Sequence, residues 1–376
     1  MRILHLYAGN LFGGIETYLI TLAKTQLPQM QHEFALCFEG RLSSELQQAG
    51  AIVHQLGAVK IRNPWTVWKA RSQLKALLQK RSFDLVIAHA CWVQAIFGAV
   101  VKAQSLPLVF YGHDTASGRS WLERLAKQTT PDLVLVNSRY TQSTLKNLYP
   151  DAPSRLVHYP VLDSACSDPS IRHQVRSQFQ TPHERIVIIQ SCRLEPWKGH
   201  RLLLSALAHL RTIPNWEVWI AGGAQRPHEQ RYLAELQSQA KTLGIRDRIK
   251  FLGQRSDVPQ LLAAADIHCQ PNLGGEPFGI AFIEALYAGL PIVTTAIGAA
   301  PEIIDSSCGC LVPAEDDSAI AQALERLITD AQERDRLSQG CLDRAIKLCD
   351  PEQQLNKLYS ILNQALFENS RELSTC

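Results

Sequence analysis

Charge is scarce in this 376-residue chain: Asp, Glu, Lys and Arg make up 19% of it, and the formal net charge is +3. So little charge excludes a disordered polymer and leaves no basic footprint for nucleic acid. No apolar run is long enough to span a bilayer. No repeat of solenoid period and no low-complexity tract is present. No G-x-G-x-x-G occurs, so the dinucleotide fingerprint of nicotinamide enzymes is missing. The ten cysteines lack metal-like spacing. Their closest pair, Cys308 and Cys310, reads as part of a turn between buried thiols. Unpaired cysteines without a signal peptide point to a reducing cytoplasm.

Apolar residues are plentiful at 46%, enough for two cores, and the length fits two domains. Strand-like runs cover Ile3 to Tyr7, Glu33 to Phe38, Ile52 to Leu56, Leu85 to Ala88, Leu108 to Tyr111 and Leu133 to Val136. Helical periodicity lies between them, as in Glu16 to Lys24 and Trp65 to Gln79. Asp163 to Thr181 is polar and reads as a linker with a short helix. A second series follows with Arg185 to Gln190, Trp216 to Ala221, Ile249 to Leu252, Ile267 to Gln270 and Ile292 to Thr294. Alternation of this kind predicts α/β architecture: two tandem, Rossmann-like, doubly wound parallel-sheet domains. The expected boundaries are 1–165, 166–350 and a C-terminal helix in 351–376 that packs back on the first domain. In such sheets ligands bind at the carboxyl ends of the strands.

One stretch stands out there: Glu276-Pro277-Phe278-Gly279-Ile280-Ala281-Phe282-Ile283-Glu284. Pro277 suits a helix start, and Gly279 permits close approach of its backbone. The helix that follows is apolar on nearly every face, so Glu284 needs a partner, such as a sugar or ribose hydroxyl. The amides of Phe278, Gly279 and Ile280 would direct the positive helix end at an anion. The combination suits a sugar attached to a diphosphate.

Other clusters sit at predicted strand ends. Gly13 and Gly14 open the first helix, either as a ligand loop or as a plain tight turn. Arg193 and Lys198 follow Ile186 to Gln190 and make a diphosphate clamp, or two surface cations paired with Glu195. His89 and the pair His113-Asp114 end neighbouring strands, where a histidine either bonds a sugar hydroxyl or serves its own loop. Glu302 reads as a first-turn carboxylate of a short helix. Arg62 to Arg81 carries Trp65, Trp68, Lys69, Arg71, Lys75 and Lys80 without an acidic residue. It reads either as a face for an anionic membrane or as an outer helix with its tryptophans packed inward.

Taken in order, these elements resemble a family 4 retaining glycosyltransferase of the GT-B fold over essentially the whole chain. The E-x7-E element, Glu276 and Glu284, is the most specific match. Gly13-Gly14 with Glu16, Asp84 through His89, His113-Asp114, Asn137-Ser138, Arg193 with Lys198-Gly199, and Pro301-Glu302 leading to Gly309 through Pro313 support it.

The resemblance implies two domains facing each other across a cleft, the second holding a nucleotide sugar. Arg193 and Lys198 would bind its diphosphate, Glu276 the donor sugar and Glu284 the ribose. The backbone of Phe278, Gly279 and Ile280 would lie along sugar and phosphate, His113 beside the sugar, and Gly13 and Gly14 near phosphate and acceptor after domain closure. No metal and no cofactor beyond the donor is implied. The implied acceptor is a saccharide or glycolipid, in cell-surface glycan synthesis at the cytoplasmic side of a membrane. Two other readings share the architecture. A sugar-nucleotide epimerase would convert the donor alone, and a non-catalytic partner would bind it without turnover.

Overall fold

The computed structural model describes residues 1–10, 13–166, 168–224 and 226–374, with side chains of the last helix described as far as Leu366. Leu11 and Phe12 of the loop before Gly13, and Ser167 of the segment read as linker, lie outside the described residues. The chain divides into two compact units, Met1–Leu162 with Cys349–Cys376, and Asp163–Leu348.

The first unit holds a seven-stranded sheet in the order β3-β2-β1-β4-β5-β6-β7. Its strands are β1 (Arg2–Tyr7), β2 (Gln31–Leu36), β3 (Ile52–Gln55), β4 (Leu85–His89), β5 (Leu108–Gly112), β6 (Leu133–Val136) and β7 (Ser154–Leu156). Every adjacent pair is parallel. Strands covered on both faces read as continuous apolar runs, and β4, β5 and β6 are buried throughout. The helix Gly14–Lys24 buries Tyr18, Leu19 and Leu22. The final helix, Pro351–Ser374, belongs to this unit. Val161 N donates to Cys349 O at 3.0 Å, and Gln29 Nε2 donates to Asn356 Oδ1 at 3.1 Å.

The second unit holds six parallel strands in the order β10-β9-β8-β11-β12-β13. They are β8 (Ile186–Ser191), β9 (Trp216–Ala221), β10 (Ile249–Gly253), β11 (Ile267–Gln270), β12 (Ile292–Thr295) and β13 (Gly309–Val312). Its core buries Trp216, Leu203, Leu207, Leu236 and Leu324, each contributing ~1.5–3 kcal/mol by leaving water. The helix Pro169–Gln178 is tied down by Arg176, whose buried guanidinium donates to Asp266 Oδ2 at 2.6 Å and Ala264 O at 2.9 Å.

Three local expectations are corrected. Gly309 and Cys310 are not a turn but the start of strand β13. A Cβ at Gly309 would stand 2.3 Å from Ile292 O, so glycine lets the two strands close up. Strand β7, three residues long, was not anticipated. The helix expected from Pro277 begins at Ile280, because Gly279 at φ +96° turns the chain through the left-handed region first. Among the described residues no helix is long and apolar enough to cross a membrane.

Candidate functional site

In each sheet the strand order reverses once, between β1 and β4 and between β8 and β11. The loops leaving the strands at such a point diverge and open a crevice. In the second unit, the loop after β8 brings Arg193 and Lys198, and the loop after β11 brings Glu276.

Close backbone contacts lock these loops together. Gly199 has φ +75°, and a Cβ there would lie 1.7 Å from Pro271 O. Leu273 N donates to Trp197 O at 2.7 Å, and Gln190 Nε2 donates to Lys198 O at 2.8 Å. As a result Lys198 Nζ meets Glu276 Oε2 at 2.5 Å, with the side chains 11% and 10% exposed. The same ammonium lies 4.0 Å from the centre of the Trp197 ring. Gln270 Nε2 and Asn272 Nδ2 each approach Glu276 Oε2 at 3.4 Å. A buried ion pair of this kind holds a cation and an anion in fixed places, and an incoming phosphate or hydroxyl can share them without rebuilding the site.

Glu284 sits differently. It lies in the helix Ile280–Tyr287 among Phe282, Ile283, Ala285 and Leu286, all buried. Its carboxylate has no hydrogen bond or ion pair among the described residues. Burial alone pushes its pKa up to about 7. The amides of Gly279 and Ile280 likewise meet no acceptor among the described residues. A half-buried carboxylate without a protein partner among the described residues, and open amides at the start of the same helix, suit a ligand carrying both a hydroxyl and an anion.

Arg193 stands apart. Its side chain is 59% exposed and pairs with Glu195 at 2.9 Å, while Trp197 Nε1 donates to the other Glu195 oxygen at 2.8 Å. The structure thus joins Lys198 to Glu276 and leaves Arg193 on the surface. Glu302 is half-buried in the first turn of the helix Ala300–Ile303.

In the first unit, His113 is buried just past β5, and both ring nitrogens are engaged. Nδ1 lies 2.5 Å from the Tyr159 hydroxyl, and Nε2 lies 2.7 Å from His89 Nδ1. The expected bond from its ring to a sugar hydroxyl is therefore corrected: no ring nitrogen is open to a ligand. Its carbonyl accepts from Asn137 Nδ2 at 3.1 Å. Gly13 caps the helix Gly14–Lys24 with extended backbone, φ −175°, so its conformation alone does not demand glycine. Buried Glu16 accepts from Tyr7 Oη at 2.7 Å. The tryptophans of the helix Pro64–Lys80 do not pack inward: Trp65 and Trp68 stack on each other, 67% and 58% exposed.

Sequence reasoning missed Gln270 and Asn272 around Glu276, and Tyr159 beside His113. Polar side chains at the exit of the buried strand β11 were the available signal for the first two. Tyr159 comes from a segment with no pattern of its own.

The family model described as "Glycosyl transferases group 1" matches residues 172–341, and that described as "Glycosyltransferase Family 4" matches residues 12–161. The chain is 29% identical over 298 residues to a D-inositol 3-phosphate glycosyltransferase of Stackebrandtia nassauensis, covering 70% of this chain and 65% of that protein. It is 28% identical over 295 residues to the GDP-mannose-dependent alpha-(1-6)-phosphatidylinositol monomannoside mannosyltransferase of Mycolicibacterium smegmatis, covering 72% and 75%. The chain thus matches about two thirds to three quarters of these relatives. Among solved structures, Anabaena Alr3699/HepE in complex with UDP and glucose superimposes with a TM-score of 0.86 at 25% identity, over 97% of this chain and 100% of that one.

Proposed function

Because the chain belongs to the family 4 glycosyltransferases of the GT-B fold, we propose that it transfers a sugar from a nucleoside-diphosphate sugar to a saccharide or lipid-linked acceptor, with retention at the anomeric carbon and without a bound metal. The observation that carries this reading is the Lys198–Glu276 pair, formed by the loops after β8 and β11 where the second sheet reverses its order, with Glu284 one helix further along the chain. Support for the donor comes from the UDP and glucose held by the Anabaena relative. Support for a phosphate-bearing or lipid-linked acceptor comes from the inositol phosphate and phosphatidylinositol relatives.

Departure of the nucleoside diphosphate places negative charge on the phosphates and positive charge on the sugar ring. Lys198 and the amides of Gly279 and Ile280 answer the first, and Arg193 can swing in from the surface to add a second cation. A fixed ammonium and a helix start supply the charge that a metal supplies elsewhere. Glu276 orients the donor sugar, and Glu284 takes a ribose hydroxyl. The acceptor attacks from the face that the phosphate leaves, and a departing phosphate oxygen receives its proton. On this reading the protein works in the cytoplasm against the membrane face, with exposed Trp65 and Trp68 and the basic residues around them meeting anionic lipid.

A thermal-shift screen against UDP-, GDP- and ADP-sugars identifies the donor. Nuclear magnetic resonance of the product linkage then tests retention, and an inverted product removes it. Conversion of the nucleotide sugar without any acceptor would favour the epimerase. Donor binding with no turnover over a wide acceptor panel would favour the non-catalytic partner.

A further inference from the structure

Four imidazoles stand in single file inside the first unit. His32 Nδ1 lies 2.9 Å from His5 Nε2, His5 Nδ1 lies 2.9 Å from His89 Nε2, and His89 Nδ1 lies 2.7 Å from His113 Nε2. His113 Nδ1 closes the file at the Tyr159 hydroxyl. The rings come from β2, β1, β4 and the end of β5, which are successive neighbours in the sheet. His32 is near the amino end of β2, whereas His113 lies past the carboxyl end of β5. The file therefore crosses one layer diagonally, toward the edge where ligands bind. Phe34 stacks on His5, Tyr111 stacks on His113, and Tyr18 lies against both His89 and His113. The nitrogens face one another in pairs rather than converging on a point, and no metal-holding group of three His, Cys, Asp or Glu residues occurs among the described residues.

Burial drives all four rings toward the neutral form, with His32 near pKa 4 and His113 near 3. A neutral imidazole has one N–H and one bare nitrogen. Each link between two such rings holds one proton. Two protons in a link repel, and an empty link sets two lone pairs face to face. The tautomer of one ring therefore dictates that of the next, and the file has two fully bonded states, all Nδ1–H or all Nε2–H. The two ends pull in opposite directions. At one end, the His113 carbonyl can only accept, which fixes the Asn137 amide nitrogen toward it. That nitrogen also donates to Tyr159 Oη at 3.1 Å. A Tyr159 proton turned to His113 Nδ1 then favours the Nε2–H state. At the other end, His32 Nε2 is buried without a partner, and a bare nitrogen is tolerated there better than an orphan N–H.

We propose that His32, His5 and His89 are positioning residues that act through His113: the four rings share one tautomer, and the file thereby sets which nitrogen of His113 carries the proton and locks its ring and peptide in place. The catalytic consequence rests on the family resemblance, which implies that His113 lies beside the donor sugar. The shared tautomer does not rest on it.

The full chain labelled with ¹⁵N-histidine, without any substrate, tests the relay directly. Two-bond proton–nitrogen correlations report the tautomer of each ring. The expected result is one common neutral tautomer for His5, His32, His89 and His113. His32→Leu, at the half-buried end, is expected to shift the ring nitrogens of His113 three links away, while His32→Asn, which keeps a group at the Nδ1 position, restores them. Mixed tautomers in the unaltered protein overturn the proposal, as do unchanged His113 signals in a folded His32→Leu protein. His5→Phe, which keeps a ring but cuts the file, is the second variant and is read in the same way. Turnover separates the two claims. His32→Leu should lower kcat several-fold with the donor KM held, and an unchanged kcat beside an altered His113 tautomer overturns the catalytic consequence alone.

Discussion

Gly298 leaves no room for a side chain beside Glu276. A Cβ there would lie 2.3 Å from Glu276 N and 2.6 Å from Glu276 O, and φ is +64°. The backbone carrying Glu276 is thus held by a glycine from the loop after β12, and Ala299 N adds a bond to Glu276 O at 2.8 Å. Gly298→Ala should cost ~1–3 kcal/mol through strain and displace Glu276 from Lys198. The expected result is a lowered Tm together with a large loss of donor turnover. Gly244→Ala is the control: it shares a positive φ of +70° but meets nothing within 4 Å. It should lose stability and keep its rate.

The Lys198–Glu276 pair separates stability from chemistry. Lys198→Ala strands a buried carboxylate, a change that costs about 3–5 kcal/mol when the partner stays charged. Donor turnover should fall with it. The double variant Lys198→Met with Glu276→Gln should recover most of the Tm and none of the rate. Turnover near wild type in Lys198→Ala would remove Lys198 from the clamp.

Glu284 makes stability depend on pH. Its pKa rises from 4.5 to about 7 in the folded protein. Between those values the folded chain binds more protons than the unfolded chain, so the contribution of Glu284 is fully present below about 4.5 and fades as the pH climbs through 7. Glu284→Gln should remove that slope. Against wild type, its Tm should gain on the order of 2–4 °C between pH 5 and 8. Nucleotide binding should move the other way, since an ionised carboxylate accepts a ribose hydroxyl more strongly. Wild-type affinity rising with pH, and a flat, weaker affinity in Glu284→Gln, are the expected isotherms.

The exposed tryptophans can be tested on vesicles. Trp65→Ser with Trp68→Ser should reduce sedimentation with anionic liposomes, and Lys69→Gln with Lys75→Gln should weaken it in a salt-dependent way. Neutral vesicles should bind poorly throughout. Arg71 does not belong in that set. Its guanidinium turns inward, Nε donating to Ile96 O at 2.6 Å, so Arg71→Ala should lower the Tm instead.

Much of this was legible in the residues. Buried parallel strands are mostly runs of Ile, Leu and Val, and eleven of the thirteen strands among the described residues are legible as largely apolar runs. The two that were not, Ser154–Leu156 and Gly309–Val312, are short edge strands, and the second opens on a glycine that resembles a turn in sequence. Glu284 announced itself as a carboxylate in an apolar helix, and Glu276 by the Pro-Phe-Gly turn that follows it. Their different fates did not, because only the folded chain brings Lys198, 78 positions away, onto one of them. The histidines pointed the same way. His89 and His113 were noted as neighbours at strand ends, but the bonds to His5 and His32 depend on sheet order, which places β1 between β2 and β4.

Cys349 pairing with Val161 has a consequence for how the polypeptide is assembled. The two crossings between units stand side by side, so the second unit is spliced into the first as an insert. Translation can finish the insert while its host still waits for its closing helix. A short bridge from Leu162 to Cys349 would excise the insert and yield each half as a separate polypeptide.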